Sequence, residues 1–512
     1  MLRRLLPVLV SLAALTACGT TVPLTSQSQG ALASSDGLSA ATTTPGGDVS
    51  GSSTGQALTP TGTATGSLPT RAASGSTAAA APSLGPSASA TSSSYSSIPI
   101  TGRGWDARTI SIGYVTQNDF TRTAAAAGYN TVNAGDQVGD VQAVLAALNA
   151  AGGLFGRRLV GIDRDNSSAD VTGNPEGTSA ANCDFFKNDK KVVAVLNLQS
   201  ALDTDVFRQC TAKAKLPVMS LSIQPVTDAV VTPLGGYLIP LLTPTYDTMM
   251  PTFMRRLTAQ GYFKGWSTAI GQAAATPLKT GVIVTSDNQG AQVLKVYEKA
   301  LAAIGQKPVV FRYAPSGTQQ QTDFQSAVLQ FRSAGVTHVL SDGANISLFM
   351  LQASTQTYRP RYAISSYSAP QPFVETLAPK DQLRGAVGIG SSPTLDVDLS
   401  EDPGPTPGSP WCLKALKAGG QTFNSGKRFA QAVAFALCDG LRMLAFAGKA
   451  GGGLTGPQLV AGVGLAGPTF PTSFAFSSGF RPGVSTLPGS ARDLAYNEGC
   501  SCFRYGRTKT TF

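Results

Sequence analysis

The chain has 512 residues, with 39 Lys and Arg against 29 Asp and Glu, one histidine, seven cysteines and a formal net charge of +10. Only 13% of residues are charged, and no dense Lys/Arg block or basic helical stripe appears. That argues against nucleic acid as a partner, because phosphate binding needs concentrated positive charge. A single histidine also leaves little for acid–base or zinc chemistry.

The chain opens on Met1-Leu2-Arg3-Arg4, an apolar run from Leu5 to Leu15, and Thr16-Ala17-Cys18. A basic start, a short apolar stretch and small residues before a cut site describe a secretory signal. The run is shorter than the roughly 20 apolar residues that span a bilayer. Leu15-Thr16-Ala17-Cys18 resembles the lipobox of bacterial lipoproteins. The resemblance implies removal of residues 1–17, a lipid on the sulfur of Cys18, and a chain anchored to the outer face of the cell membrane. No later segment has a charge-free apolar run long enough to span. Residues 18–105 read as a tether, because from Gly19 to about Ile98 Ser, Thr, Ala, Gly and Pro dominate. Such a stretch buries too little surface to offset its ordering entropy. As a flexible coil it would span on the order of 50 Å. Gly51-Ser52-Ser53-Thr54-Gly55 matches G-x-S-x-G, but that pattern carries chemistry only on a strand-to-helix turn.

From residue 106 the composition becomes that of a folded domain. Thr109 to Val115 reads as a buried strand. Gly135 to Gly153 reads as a helix, with Val138, Val141, Leu145 and Leu148 at helical spacing and Gly152-Gly153 as its stop. Arg158–Asp163 is the next strand. Lys191–Leu196 is apolar on both faces, as a central parallel strand should be. A helix through Val206 and Cys210 follows, then a strand at Leu216–Ser220. The alternation repeats with strands at Lys279–Thr285, Pro308–Tyr313 and Val336–Ser341, and helices at Ala291–Ile304, Asp323–Ala334 and Ile346–Thr355. Two such series predict two doubly wound, Rossmann-like α/β lobes. About 400 residues also exceed what one core accommodates. Past Gly385 come further strand and helix, then a Gly/Pro-rich tail ending in Cys500 and Cys502.

Beyond Cys18, six cysteines remain in a compartment where disulfides persist. Sequence leaves the connectivity open; nearest neighbours suggest Cys183 with Cys210 and Cys412 with Cys438. Cys500 and Cys502 could join only in a small ring. No His/Cys cluster suggests zinc.

The segment Ala147-Leu148-Asn149-Ala150-Ala151-Gly152-Gly153-Leu154-Phe155-Gly156-Arg157-Arg158-Leu159 closely resembles the stretch after the first helix in type I periplasmic solute-binding proteins of the branched-chain amino-acid class. Asp163-Arg164-Asp165 falls where that family has an acidic strand end. The order of elements fits over 106–512. The resemblance implies two lobes joined by a multi-crossing hinge, with three crossings, a small-molecule ligand between the lobes, and the permease subunits of an ABC importer as partners.

In open α/β sheets a ligand sits beyond the carboxyl ends of the strands, at a switch in strand order. Transferred one position at a time, the resemblance implies a first-lobe set of Gln199, Ser200 and Ala201 for a ligand carboxylate, followed by Ser220, Leu221 and Ser222. In the second lobe, Asp287-Asn288-Gln289-Gly290 resembles the family's Asp-x-x-Tyr-Gly turn but lacks one residue and the aromatic; Asp287 and Gln289 are its candidates. Asp342, Gly343 and Asn345, then Tyr367 and Ser368, stand at the next two strand ends. The acid that pairs with an amino-acid ammonium has no counterpart near Tyr367. Each of these residues also has a plainer reading, since Asp and Ser at strand ends commonly cap the following helix.

Catalysis has little to rest on. His338 lies inside a predicted strand and is expected to be packed. Gly462-Val463-Gly464-Leu465-Ala466-Gly467 matches G-x-G-x-x-G, yet no strand precedes it and Pro457 suggests a helix start. No cofactor or metal site is read from the sequence. The expectation is capture of a small polar metabolite (an amino acid, an amide or a relative) for an ABC importer. The alternative is an envelope sensor or scaffold lipoprotein that keeps the fold without transporting.

Overall fold

The computed structural model describes residues 98–512 apart from 127–128, 130–131, 316–318, 482–483 and 485. Cys18, the G-x-S-x-G match and nearly all of the tether therefore lie outside the described residues. Its last part does not: Arg103 Nη1 donates to the carbonyl of Ala214 at 2.8 Å, and Trp105 Nε1 to that of Pro99 at 3.1 Å.

The first lobe is a parallel sheet of β1 (Thr109–Thr116), β2 (Arg158–Asp165), β3 (Val195–Asn197), β4 (Val218–Ser220) and β5 (Leu238–Pro240), in the order β2-β1-β3-β4-β5. Strand order reverses between β1 and β3, which is the switch point. Its two faces are covered differently. Phe186, Val195, Phe207 and Leu216 form one core layer. Ile110, Val141, Leu148, Leu196 and Met219 form the other, joined by residues from far down the chain.

After the short hairpin β6 (Trp266–Ser267) and β7 (Gln272–Ala273), the second lobe uses β8 (Thr280–Thr285), β9 (Val309–Tyr313), β10 (His338–Ser341), β11 (Arg361–Ser365), β12 (Val387–Gly390), β13 (Ser490–Asn497) and β14 (Cys502–Thr511). Their order is β14-β13-β12-β11-β10-β8-β9, and only β13 runs against its neighbours. Successive residues of β8 face opposite layers. Val282 and Val284 meet Tyr246, Phe253 and Tyr297, while Ile283 meets Phe324, Phe331 and Phe349.

The chain crosses between lobes three times: after β5, after β12 and before β13. The crossings lie side by side. Leu487 N donates to Pro240 O at 3.1 Å and Phe476 N to Ser391 O at 3.2 Å. Ser392 Oγ lies 3.5 Å from Leu242 O. Between the second and third crossings the helices Ser409–Ala418, Arg428–Ala450 and Gly456–Gly464 return to the first lobe. Arg428–Ala450 is long and apolar enough to cross a membrane, but most of it is buried here. It carries Asp439, buried and bonded to the backbone N–H groups of Ser473 and Phe474 and to Thr472 Oγ1. Burial pushes that carboxyl above its usual range. The helix is a core element of the first lobe.

The Asn-Ala-Ala-Gly-Gly motif has a mechanical reason. Gly152 and Gly153 sit at φ +97° and +66°, and a Cβ on Gly153 would come within 2.1 Å of Arg157 O. Only glycine reverses the chain so tightly. Asn149 then bonds both the N–H and the carbonyl of Leu159, at 2.7 and 2.9 Å, pinning the helix end to β2.

Several element boundaries differ from sequence expectation by a few residues, two of them on central strands of the first lobe. The central strand read as Lys191–Leu196 is confined to Val195–Asn197, and the one at Leu216–Ser220 to Val218–Ser220. Apolarity at those positions reflects burial on both sides, not ladder length. The Gly-x-Gly stretch lies at the end of the Gly456–Gly464 helix, capped by Thr455 and Gln458 with Pro457 in its first turn. The disulfides join Cys183–Cys210, Cys412–Cys438 and Cys500–Cys502.

Candidate functional site

The segments that follow β1, β3 and β4 meet those that follow β8, β10 and β11 between the lobes, and direct contacts join them. On one flank Arg208 Nη1 of the first lobe donates to Gln289 Oε1 of the second at 3.1 Å. Gln289 Nε2 reaches back to Gln224 Oε1 at 3.4 Å, and Asn288 Nδ2 to Asp205 Oδ2 at 3.3 Å. On the other flank Tyr129 OH lies 3.4 Å from Ser347 Oγ, and its ring meets Phe373 edge-on at 5.3 Å. Phe373 in turn packs on Phe429, and Phe429 near Phe120.

Arg208 is held in place from below. Its Nε donates to Asp203 Oδ1 at 2.8 Å, and Ser220 Oγ donates to Asp203 Oδ2 at 2.9 Å. Both side chains of the ion pair are almost fully buried. Burial opposes the charge of Arg208, yet the carboxylates of Asp203, Asp205 and Asp287 together raise its hold on the proton.

Of the first-lobe candidates, Ser200 and Ser222 are brought together, Oγ to Oγ, at 3.0 Å. Gln199 is buried, and its N–H donates to Asn197 Oδ1. Ser220 is committed to Asp203. Leu221 belongs to the hydrophobic core, and Ala201 is exposed.

In the second lobe, Asp287 caps the Asn288–Ala302 helix by accepting from Gly290 N and Thr285 Oγ1, both at 2.8 Å. A Cβ on Gly290 would lie 2.0 Å from Thr285 O, so that turn is as tight as the chain permits. Asp342 is buried and accepts from Thr285 N at 2.8 Å and Tyr313 OH at 2.9 Å. Burial raises its carboxyl to about 6. Asn345 lies 3.4 Å from the same Tyr313 hydroxyl, and Gly343 N points at Ser341 Oγ. Tyr367 turns toward the hinge, bonding Pro244 O and packing on Tyr246 at 4.6 Å. Ser368 closes a capping box with Ser365. Among these second-lobe candidates Gln289 bonds to first-lobe side chains, while Tyr367 bonds to backbone near the hinge.

Sequence reading missed Arg208, Gln224, Tyr129, Phe373 and Phe429. Arg208 sits one turn after the Asp203-x-Asp205 pair and is buried beside Phe207 and Thr211, so the closely spaced opposite charges are a signal that could have marked it. The aromatic group comes from segments hundreds of residues apart and had no local signature.

His338 is packed, with Nδ1 2.9 Å from Thr337 Oγ1 and its ring edge-on to Tyr262. Burial and Arg361 lower it to about 4. Among the described residues, one group has metal-ligand spacing, Glu401 with Cys500 and Cys502, and its sulfurs are joined to each other.

No curated protein sequence matches this chain. Solved structures resemble its fold. A branched-chain amino-acid ABC transporter protein from Thermus thermophilus with bound valine is 14% identical, with TM-score 0.55, over 79% of this chain and 96% of its own. A solute-binding protein from R. palustris in complex with 4-hydroxybenzoate is 15% identical, with TM-score 0.54, over 79% and 97%. A fatty acid ABC transporter substrate-binding protein from Thermomonospora curvata is 16% identical, with TM-score 0.54, over 80% and 94%. The family model described as periplasmic binding protein matches residues 133–402, more than half of the sequence. With two doubly wound lobes and three crossings, the chain belongs to the periplasmic binding protein family, in its type I form.

Proposed function

We propose that this protein is an extracytoplasmic, lipid-anchored binding protein that captures a small metabolite between its lobes and delivers it to an ABC importer. The observation that carries the reading is the pair of inter-lobe contacts, Arg208–Gln289–Gln224 on one flank and Tyr129–Phe373–Phe429 on the other. They are contacts that hinge opening breaks and closure over a ligand remakes. Half-buried aromatic rings on one flank and polar groups on the other suit a ligand with a polar head and an apolar body. An apolar amino acid or amide meets that description, as does an aromatic acid. Asp342 is buried with both carboxylate oxygens engaged and so cannot meet an ammonium, whereas Asp287 is exposed and accepts its two bonds on Oδ1 alone. Cys18 would supply the anchor and residues 18–105 the reach.

The second reading, an envelope sensor or scaffold, draws on the same residues. Ser220, Asp342 and Tyr367 already spend their hydrogen bonds inside the protein. Native mass spectrometry of the detergent-extracted chain, before and after denaturation and refolding, separates the two. A released small molecule supports capture. An empty chain whose melting temperature is unmoved by amino acids, amides and aromatic acids sinks the transport reading and leaves the scaffold.

A further inference from the structure

We propose that the Cys500–Cys502 disulfide is a thiol-exchange site, opened by a low-molecular-weight thiol that attacks Sγ of Cys500. The bond sits at the turn between β13 and β14, where the two strands are already tied by their own ladder from Ser490–Thr511 to Asn497–Cys502. Asn497 Oδ1 further holds the turn by accepting from Gly499 N at 2.9 Å and Cys500 N at 3.2 Å. A cross-link stabilises chiefly by shortening the loop it closes in the unfolded chain. Cys183–Cys210 and Cys412–Cys438 close separations of 27 and 26 residues, whereas Cys500–Cys502 closes a separation of 2. As a staple it is nearly redundant.

Its surroundings differ from those of the other two in the way that chemistry requires. Cys183, Cys412 and Cys438 are fully buried and Cys210 is half-buried, while Cys500 is exposed and Cys502 is tucked beneath it. Ser501 between them is held at φ +54°, a left-handed conformation costly for a residue with a Cβ, so opening the ring releases local backbone strain. Sγ of Cys500 lies 3.6 Å from Asn497 O and 3.7 Å from Cys502 O, so a thiol formed there has acceptors in place. Lys380 Nζ lies 3.4 Å from Ser501 O, and the Glu401–Arg504 pair flanks the sulfurs, giving both signs of charge to a small polar thiol.

The step balances with the thiol as reductant. A thiolate RS⁻ attacks the exposed sulfur of Cys500 and forms RS–Sγ500. The electron pair of the broken bond leaves on Cys502 Sγ, which takes a proton from solvent. A second RSH then displaces Cys500, giving RSSR and a reduced pair, and the reverse sequence reoxidises it.

The test uses the full folded chain equilibrated in graded mixtures of reduced and oxidised glutathione, quenched by alkylation and mapped by peptide mass spectrometry. Cys500 and Cys502 are expected to open at a mixture at least tenfold more oxidising than either other pair requires. The Cys502→Ser variant is expected to carry at least tenfold more glutathione on Cys500 than Cys500→Ser carries on Cys502. The double variant Cys500→Ser, Cys502→Ser is expected to keep its melting temperature within about two degrees. Opening of all three pairs together, adducts equal on the two cysteines, or a double variant that fails to fold would each assign the bond a structural role and overturn the proposal.

Discussion

The strand ends of the two lobes meet at one cleft but are built in opposite ways. In the second lobe, Asp342 gathers Thr285 N and the Tyr313 hydroxyl. Its backbone, with that of Ser341, receives Tyr246 and Tyr297 at 2.7 and 2.8 Å. That face is a closed polar knot inside an aromatic core. In the first lobe, the Asp203–Ser220 pair serves to aim a cation outward, and Ser200 and Ser222 stay beside the cleft. Identical residue types at equivalent strand ends therefore do different work. One set fixes its own lobe, and the other presents groups to the opposite lobe.

The sharpest way to break this contrast is to remove Asp203. Asp203→Ala takes from the buried Arg208 its 2.8 Å partner and leaves the more exposed Asp205 at 3.7 Å, and loss of one member of a buried pair costs about 3–5 kcal/mol. Denaturant unfolding is expected to show that loss, while Asp203→Asn, which keeps a hydrogen bond to Nε, loses less. An Asp203→Ala protein of undiminished stability would mean that the first-lobe network is not what holds Arg208.

The second-lobe knot is tested through pH. Burial raises Asp342 to about 6, well above the ordinary carboxyl value in the unfolded chain. The folded state therefore holds the proton more tightly, and stability from this group is full below pH ~4 and declines as pH rises through about 6. The decline integrates to roughly 3 kcal/mol, taking about two pKa units of difference. Asp396 and Glu375, each raised by burial to about 7, add to the same trend. Asp342→Asn is expected to remove its share of the slope between pH 4 and 7, measured as unfolding free energy against pH. An unchanged slope would show that Asp342 is not the group responsible.

What could be read from sequence follows the same division. The strands and helices of both lobes follow from periodicity, because alternating apolar runs record burial regardless of partner. The Asn149–Gly153 reversal was legible because its geometry admits few residue types. The cleft was not legible to the same degree. An Asp at a strand end is written alike whether it caps a helix, as Asp287 does, ties a knot, as Asp342 does, or meets a solute. Those outcomes depend on Tyr313, Thr285 and other residues supplied by separate segments. The β13–β14 hairpin and the return of Arg428–Ala450 to the first lobe likewise depend on hinge crossings that leave no local pattern.

Asp287 puts a number on that ambiguity. As a helix cap its replacement by Ala is expected to cost about 1 kcal/mol of stability, read by thermal or urea unfolding, with ligand affinity changed less than twofold. A large fall in affinity at unchanged stability would return Asp287 to the binding site.

Gln289 is the reverse case, a second-lobe residue on the same turn whose amide bonds only to the first lobe. Gln289→Ala removes one hydrogen bond to the charged Arg208 and a longer one to Gln224, together worth about 1 kcal/mol in an environment open to solvent at one side. None of this energy is spent within the second lobe, so the melting temperature should barely move. The loss should appear in the balance between open and closed lobes, as a shift toward the open form of about fivefold. Fluorescence transfer between dyes on the two lobes would report it, with ligand release quickened by a similar factor. Two neighbours on one turn would then separate, Asp287 acting chiefly on stability through its helix cap and Gln289 on closure through its bonds to the first lobe. If Gln289→Ala lowers stability and leaves the lobe distance unchanged, the bridge to Arg208 is packing and not a latch.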